Sequence, residues 1–180
     1  MRWCLACLAL LALPAHAATP DYDLLELAYF HVQSDSFGSR QGYAANGFID
    51  FDQGFFGEAS DYHVSGSGTT VNTYLLGPGY RKSFDWTDVF LSVDYLHASR
   101  DSPLGSVSAS GYRWVWGLRS AVTDRLELNT GVEKASVGNT DTGIRLGASY
   151  KIFGEHLALR AQYVWASDVK TWLLGLRYLY

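Results

Sequence analysis

From Leu24 to Tyr180 the chain keeps alternating between apolar and polar or small residues at every second position, and Gly, Asp, Ser and Thr clusters break the pattern about every ten residues. A period of two is that of a β-strand, whose side chains point to opposite faces in turn. Ten such runs can be read: 24–33, 43–51, 55–64, 71–81, 89–98, 112–121, 126–135, 143–152, 157–166 and 171–180. The last is the clearest. Trp172, Leu174, Leu176, Tyr178 and Tyr180 share one face, and Thr171, Leu173, Gly175, Arg177 and Leu179 share the other. No stretch sustains a helical period.

A soluble β-sandwich also alternates, with its apolar face against a second sheet and its charged face in water. Here the apolar face is heavy in Trp and Tyr near run ends, while the other carries Gly, Ser, Asn and Arg. Ringed ends suit membrane interfaces, and a small-and-charged face suits a narrow lumen. Mean hydropathy of -0.04 fits this, because outward and inward residues cancel in the average. The expected fold is all-β, a transmembrane antiparallel up-and-down barrel of about ten strands, with eight as the alternative. Short turns are expected on the periplasmic side, among them 85–88 and 123–125. The long stretches 34–42 and 99–111 are expected as external loops.

Ahead of the alternation, Arg2, the apolar stretch 4–13 and Ala15-His16-Ala17 have the anatomy of a cleavable secretory signal peptide. The expected division is a signal peptide over 1–17 and an outer-membrane barrel over 18–180. Cys4 and Cys7 fall in the part to be removed, so their spacing implies neither metal nor redox chemistry. A formal charge of -4 argues against a nucleic-acid surface. Neither a phosphate-cradling loop nor a metal-ligand cluster is present, so no cofactor is expected.

With faces assigned this way, Glu26, Asp50, Glu58, Asp94, Glu127 and Glu133 point inward with Arg81, Arg113, Arg119, Arg145, Lys151, Arg160 and Arg177. A turn centred on Thr123 would set Arg119 opposite Glu127 and Arg113 opposite Glu133, and directly opposed Cβ atoms lie roughly 5 Å apart. Confined charges must pair to offset their desolvation. Inward glycines at 77, 79, 117, 131, 147 and 175 leave room for long side chains to reach across. A largely filled lumen is expected, and the alternative is a narrow water-filled pore lined by the same ladder.

The ending Gly175-Leu176-Arg177-Tyr178-Leu179-Tyr180 resembles the assembly signal of outer-membrane proteins, a Gly followed by aromatics at alternate positions, with Gly175, Tyr178 and Tyr180 in the signal positions. That resemblance implies recognition by the barrel-assembly machinery and a place among outer-membrane lipids and lipopolysaccharide. The chain also resembles small bacterial barrels of the OmpX and OmpA-barrel kind, for which eight strands are usual. A nearer resemblance is to a proteobacterial group labelled sulfation-dependent quorum or elicitor factors. It is carried by Leu25-Glu26-Leu27-Ala28-Tyr29, Phe56-Gly57-Glu58, Leu76-Gly77-Pro78-Gly79-Tyr80, Thr123-Asp124-Arg125-Leu126-Glu127-Leu128-Asn129 and Leu174-Gly175-Leu176-Arg177-Tyr178. It implies fold and location.

Barrel enzymes that cut lipids or proteins need a His with a Ser or Asp partner near the external rim. His31, His63 and His97 fall there, His63 within Asp61-Tyr62-His63 and His97 within His97-Ala98-Ser99. Amphipathic rings favour that zone without chemistry, so the expectation is a protein that is not an enzyme. A structural, adhesive or envelope-interaction role leads, a narrow channel is the alternative, and a lipid A-modifying hydrolase stands third. Oligomeric state and external ligand stay open.

Overall fold

The computed structural model describes residues 20–35, 38–66, 68–167 and 169–180; the expected signal peptide and both cysteines lie outside them. Ten strands follow one another: β1 (Leu24–Ser34), β2 (Gly38–Asp50), β3 (Phe55–Gly66), β4 (Thr69–Phe84), β5 (Thr87–Ser102), β6 (Gly105–Ala121), β7 (Leu126–Val137), β8 (Asn139–Phe153), β9 (Leu157–Ala166) and β10 (Val169–Leu179). Each pairs antiparallel with its successor, and β10 closes on β1 from Leu24↔Leu179 to Ser34↔Val169. The barrel therefore has ten strands and not the eight of the alternative. Closure satisfies every edge, as backbone in a bilayer requires.

Alternation becomes inside and outside. On β10, Leu173, Gly175, Arg177 and Leu179 are buried, while Trp172 is 61% and Leu174 62% exposed. Around the outside runs a band of Leu, Ile and Val that includes Leu27, Leu76, Leu118, Ile144, Leu159 and Leu176. Rings border it at both heights. Phe55, Tyr80, Phe84, Tyr150 and Tyr178 lie toward the end where Pro20 and Tyr180 stand, and Tyr29, Tyr43, Tyr74, Tyr95, Tyr112 and Trp172 toward the far end. An exposed apolar surface of this extent needs hydrocarbon around it. No helix among the described residues is long and apolar enough to cross a membrane; the strands make the crossing.

Three expectations are corrected. The stretches 34–42 and 99–111 are not loops: they pair as strand, from Ser34↔Gly38 and from Ser102↔Gly105 downward, so β5 and β6 reach 16 and 17 residues. Alternation vanishes in Gly105-Ser106-Val107-Ser108-Ala109-Ser110 because both faces have left the bilayer, yet backbone pairing continues. The turn after β4 is only Asp85-Trp86, with Asp85 at φ 50°. Finally, β7 is shifted by two residues from the expected register, so Arg119 stands opposite Asn129 and Arg113 opposite Ala135. The turn is longer than one centred on Thr123, because Thr123 Oγ1 accepts the amides of Arg125 (3.2 Å) and Leu126 (2.9 Å) and Val122 N donates to Leu126 O. Local side-chain capping of this kind sets turn length independently of strand pattern.

Candidate functional site

Every charged residue of the expected ladder lies on the inward parity of its strand, and the lumen brings most of them together in three groups. Buried Glu26 of β1 accepts from Arg160 Nη1 (2.8 and 3.0 Å), Arg177 Nε (2.7 Å) and Asn46 Nδ2 (2.9 Å). One carboxylate thus ties β1, β2, β9 and β10. Arg160 also donates to Gln162.

Across the lumen, Arg113 of β6 reaches Asp94 on β5 (2.8 Å) and Glu58 on β3. The span passes over β4, whose inward residues there are Gly77 and Gly79. A Cβ at Gly77 would lie 2.7 Å from Asp94 Oδ1 and 2.0 Å from Val93 O, so only glycine admits the arrangement. Arg145 and Glu133 face each other more loosely at 3.8 Å. Lys151 lines a small cavity near the turns and has no ion pair among the described residues.

The third group closes the end where Pro20 and Tyr180 stand. Arg81 bonds Asp50 (2.5 Å) and Asp88 (3.3 Å), and Arg119 bonds Glu127 (2.7 Å) and Asp21 O (2.8 Å). Between these two guanidiniums sits Tyr22, with Arg81 4.7 Å and Arg119 4.2 Å from its ring centre and the Phe56 ring tilted against it at 4.9 Å. Phe56 in turn lies on Gly79, where a Cβ would come within 2.1 Å of its ring. The segment is held further by Asp50 N donating to Asp23 Oδ1 (2.7 Å) and Tyr180 N to Asp23 O (3.1 Å). Glu127 joins this group to the first through Arg177 (3.5 Å).

Tyr22 and Asp88 were not legible as lumen residues. Tyr22 precedes the first alternating run, and the pattern predicts Asp88 in a turn that is two residues shorter in the structure. Burial pushes the Tyr22 phenol up to about 12, and its hydroxyl has no hydrogen-bond partner among the described residues. Below pH 10 both folded and unfolded chains keep that proton. Between pH 10 and 12 only the unfolded chain releases it, so stability is expected to fall by about 1.4 kcal/mol per pH unit from this residue alone. Urea unfolding of Tyr22→Phe against wild type checks this: the variant should be at least as stable at pH 8 and lose less stability between pH 10 and 12. Parallel losses would exclude Tyr22 as the cause.

Little space remains. A cavity of about 60 Å³ lies among Glu58, Arg113, Arg145, Arg160 and Arg177, and one of about 40 Å³ near Asp21, Lys151 and Arg177. These volumes suit a few waters.

The three histidines face outward near the far rim. His31 Nε2 pairs with Ser39 Oγ (2.7 Å), His63 Nδ1 with Asn72 Oδ1 (2.6 Å) and His97 Nδ1 with Ser110 Oγ (2.9 Å). Neither Asp61 nor Ser99, the sequence neighbours that suggested chemistry, is the partner; partners come from the adjacent strand. Of the assembly-signal positions, Gly175 is buried against Ala28, and Tyr178 and Tyr180 stand in the outer ring girdle.

No family model and no curated protein matches the chain. Solved structures do. The NanC porin aligns with a TM-score of 0.55 at 9% identity, covering 87% of this chain and 100% of the porin. The β domain of the Bordetella autotransporter BrkA aligns at 0.53 and 10% identity, covering 89% and 100%. The KdgM porin aligns at 0.50 and 14% identity, covering 86% and 99%. At these identities the likeness is one of fold, that of the outer-membrane β-barrels.

Proposed function

We propose that this chain is an integral barrel of a bacterial outer membrane whose lumen does not conduct, and that its role lies in the surfaces it presents to the envelope and the outside. The observation that carries this reading is that two buried ion-paired groups, Glu26 with Arg160 and Arg177 and Arg113 with Glu58 and Asp94, project into the lumen from β1, β9 and β10 and from β3, β5 and β6 and leave between them a cavity of only about 60 Å³. Moving solute through would require breaking buried pairs, and each broken pair leaves an uncompensated charge at several kcal/mol. Tyr22 closes the passage a second time at the end where Pro20 and Tyr180 stand. In the outer membrane that end faces the periplasm, and lipopolysaccharide surrounds the far rim. Gly175, Tyr178 and Tyr180 would serve as the handle for the assembly machinery. A signalling role of the sulfation-dependent kind would rest on the resembling segments alone.

The second reading is a narrow channel for small solutes or ions, favoured by the charged lining of the lumen and by a fold shared with two porins. Planar bilayers separate the two. Wild-type protein is expected to give no reproducible single-channel steps at 1 M salt. Steps whose size or selectivity shifts in Arg145→Gln would replace the closed barrel by the channel.

A further inference from the structure

The tallest hairpin leaves one strand edge bare. β5 and β6 stay paired up to Ser102↔Gly105, whereas the uppermost pair between β6 and β7 is Tyr112↔Ser136, so residues 105–110 climb past the end of β7. In an antiparallel ladder alternate residues turn both backbone groups toward one neighbour and then the other. Ala121 N donates to Trp86 O (2.8 Å), which sets the odd positions of β6 toward β5. The even positions face β7, and above Tyr112 no strand among the described residues stands beside Ser106, Ser108 and Ser110.

Sheets guard such edges with charge, proline, a bulge or a cover. Two shorter free edges at the same rim are guarded. Residues 139–142 of β8, above Gly143↔Ala166, carry Asp141, whose carboxylate accepts from Ser167 Oγ (2.8 Å). Residues 38–40 of β2, above Gln41↔Ser65, carry Arg40, whose Cγ lies 3.2 Å from where a Cβ of Gly66 would stand. The edge Gly105-Ser106-Val107-Ser108-Ala109-Ser110 has no charge and no proline, and its register with β5 runs without a bulge. It also holds apolar surface in water: Leu104 at the tip is 99% and Val107 66% exposed. Below it the turn between β7 and β8 is open, since a Cβ on Gly138 would meet nothing within 4 Å.

We infer that this edge is a docking site for an extended peptide segment of another protein outside the cell, which adds to β6 as a further strand. Main-chain hydrogen bonds to Ser106, Ser108 and Ser110 hold it, and side chains set its preference. Its residues alternate between the face of Ser106 and Ser108 and the face of Val107 and Ala109, so an uncharged run alternating hydroxyl with small apolar residues fits. Ser110 Oγ is taken by Tyr95 and His97, and that position offers its backbone alone. A second copy in the same membrane fits worse. β6 descends from the far rim in every copy, so two copies side by side cannot form an antiparallel ladder, the stronger pairing. The inference names a partner for the outward surface role proposed above and rests on that reading for which end faces outside.

The test uses the barrel in phosphatidylcholine nanodiscs and a fluorescent, amidated peptide Lys-Thr-Val-Thr-Val-Thr-Val-Lys, with binding read by anisotropy and amide exchange by NMR. Saturable binding is expected, with exchange newly slowed at Ser106, Ser108 and Ser110. Ser108→Pro removes one N–H from the bare edge and no bond to β5, and proline is tolerated at such a place. It should keep heat-modifiable migration and bind at least about tenfold more weakly, having lost a hydrogen bond and gained a clash. Ser108→Ala keeps the backbone and should bind as wild type does. Methylating two adjacent central amides of the peptide blocks both of its edges and should abolish binding. Absence of saturation, slowing confined to other amides, or equal binding by Ser108→Pro or by the methylated peptide overturns the site. Amides already slow before peptide is added, in a barrel that runs as a dimer, would give the edge to a second copy; amides slowed by lipopolysaccharide and indifferent to peptide would give it to lipid sugars, and either overturns the peptide. Bilayer recordings on the same preparation keep the failures apart: a silent barrel that ignores the peptide loses only the edge, and a conducting one that binds it loses only the closed lumen.

Discussion

Replacing Glu26 with alanine is expected to destabilise the barrel by about 3–5 kcal/mol, because it leaves Arg160 and Arg177 buried with their shared counter-ion gone. The effect should exceed that of removing any surface ion pair, which is worth about 1 kcal/mol or less. Glu26 is fully covered and also accepts from Asn46, so the variant loses bonds to β2, β9 and β10 together, at the seam where β1 closes on β10. Urea midpoints followed by heat-modifiable migration measure it. A second variant separates charge from packing. Glu26→Leu with Arg160→Met and Arg177→Met removes all three charges, and should regain most of the loss, as replacing a whole buried ion cluster by apolar groups does. A triple variant no more stable than Glu26→Ala would place the effect in packing.

Arg113→Ala is expected to cost a similar 3–5 kcal/mol by the opposite route, leaving two carboxylates, Glu58 and Asp94, close together in the lumen with no cation between them. Like charges so placed repel, and Gly77 and Gly79 offer no group that could take the place of the guanidinium. Arg113→Lys should recover only part, since one ammonium cannot fork to two strands in fixed geometry. Adding Glu58→Gln and Asp94→Asn to Arg113→Ala should restore stability by removing the repulsion. If the triple variant stays as unstable as Arg113→Ala, the arginine stabilises through its volume alone.

Fold legibility followed the strength of the face contrast. The run 157–166 coincides with β9 because Leu157, Leu159, Ala161, Tyr163 and Trp165 face hydrocarbon and Arg160 and Gln162 face the lumen, the largest difference two faces can carry. Where strands rise into water on both sides, as over Gly105–Ser110, the contrast disappears and the pattern predicts a loop. The charge ladder was legible as a set of inward residues, since parity alone decides facing. Its partners were not. Arg119 and Glu127 do bond, but diagonally, from a register two residues away from the expected one, and Arg113 turns from β7 to β5 and β3.

Alternation along the chain by itself determined a closed sheet with a greasy, ring-bordered outside and a charged, glycine-spaced inside, because a strand has only two faces and each must match one solvent. Which charges meet, and that Tyr22 is clamped between Arg81 and Arg119, was decided only by the tertiary structure. Ion pairs across a lumen depend on turn length, strand stagger and the strands lying between, as Glu58 and Arg113 reach over the glycines of β4. None of these quantities is local to the residues that pair.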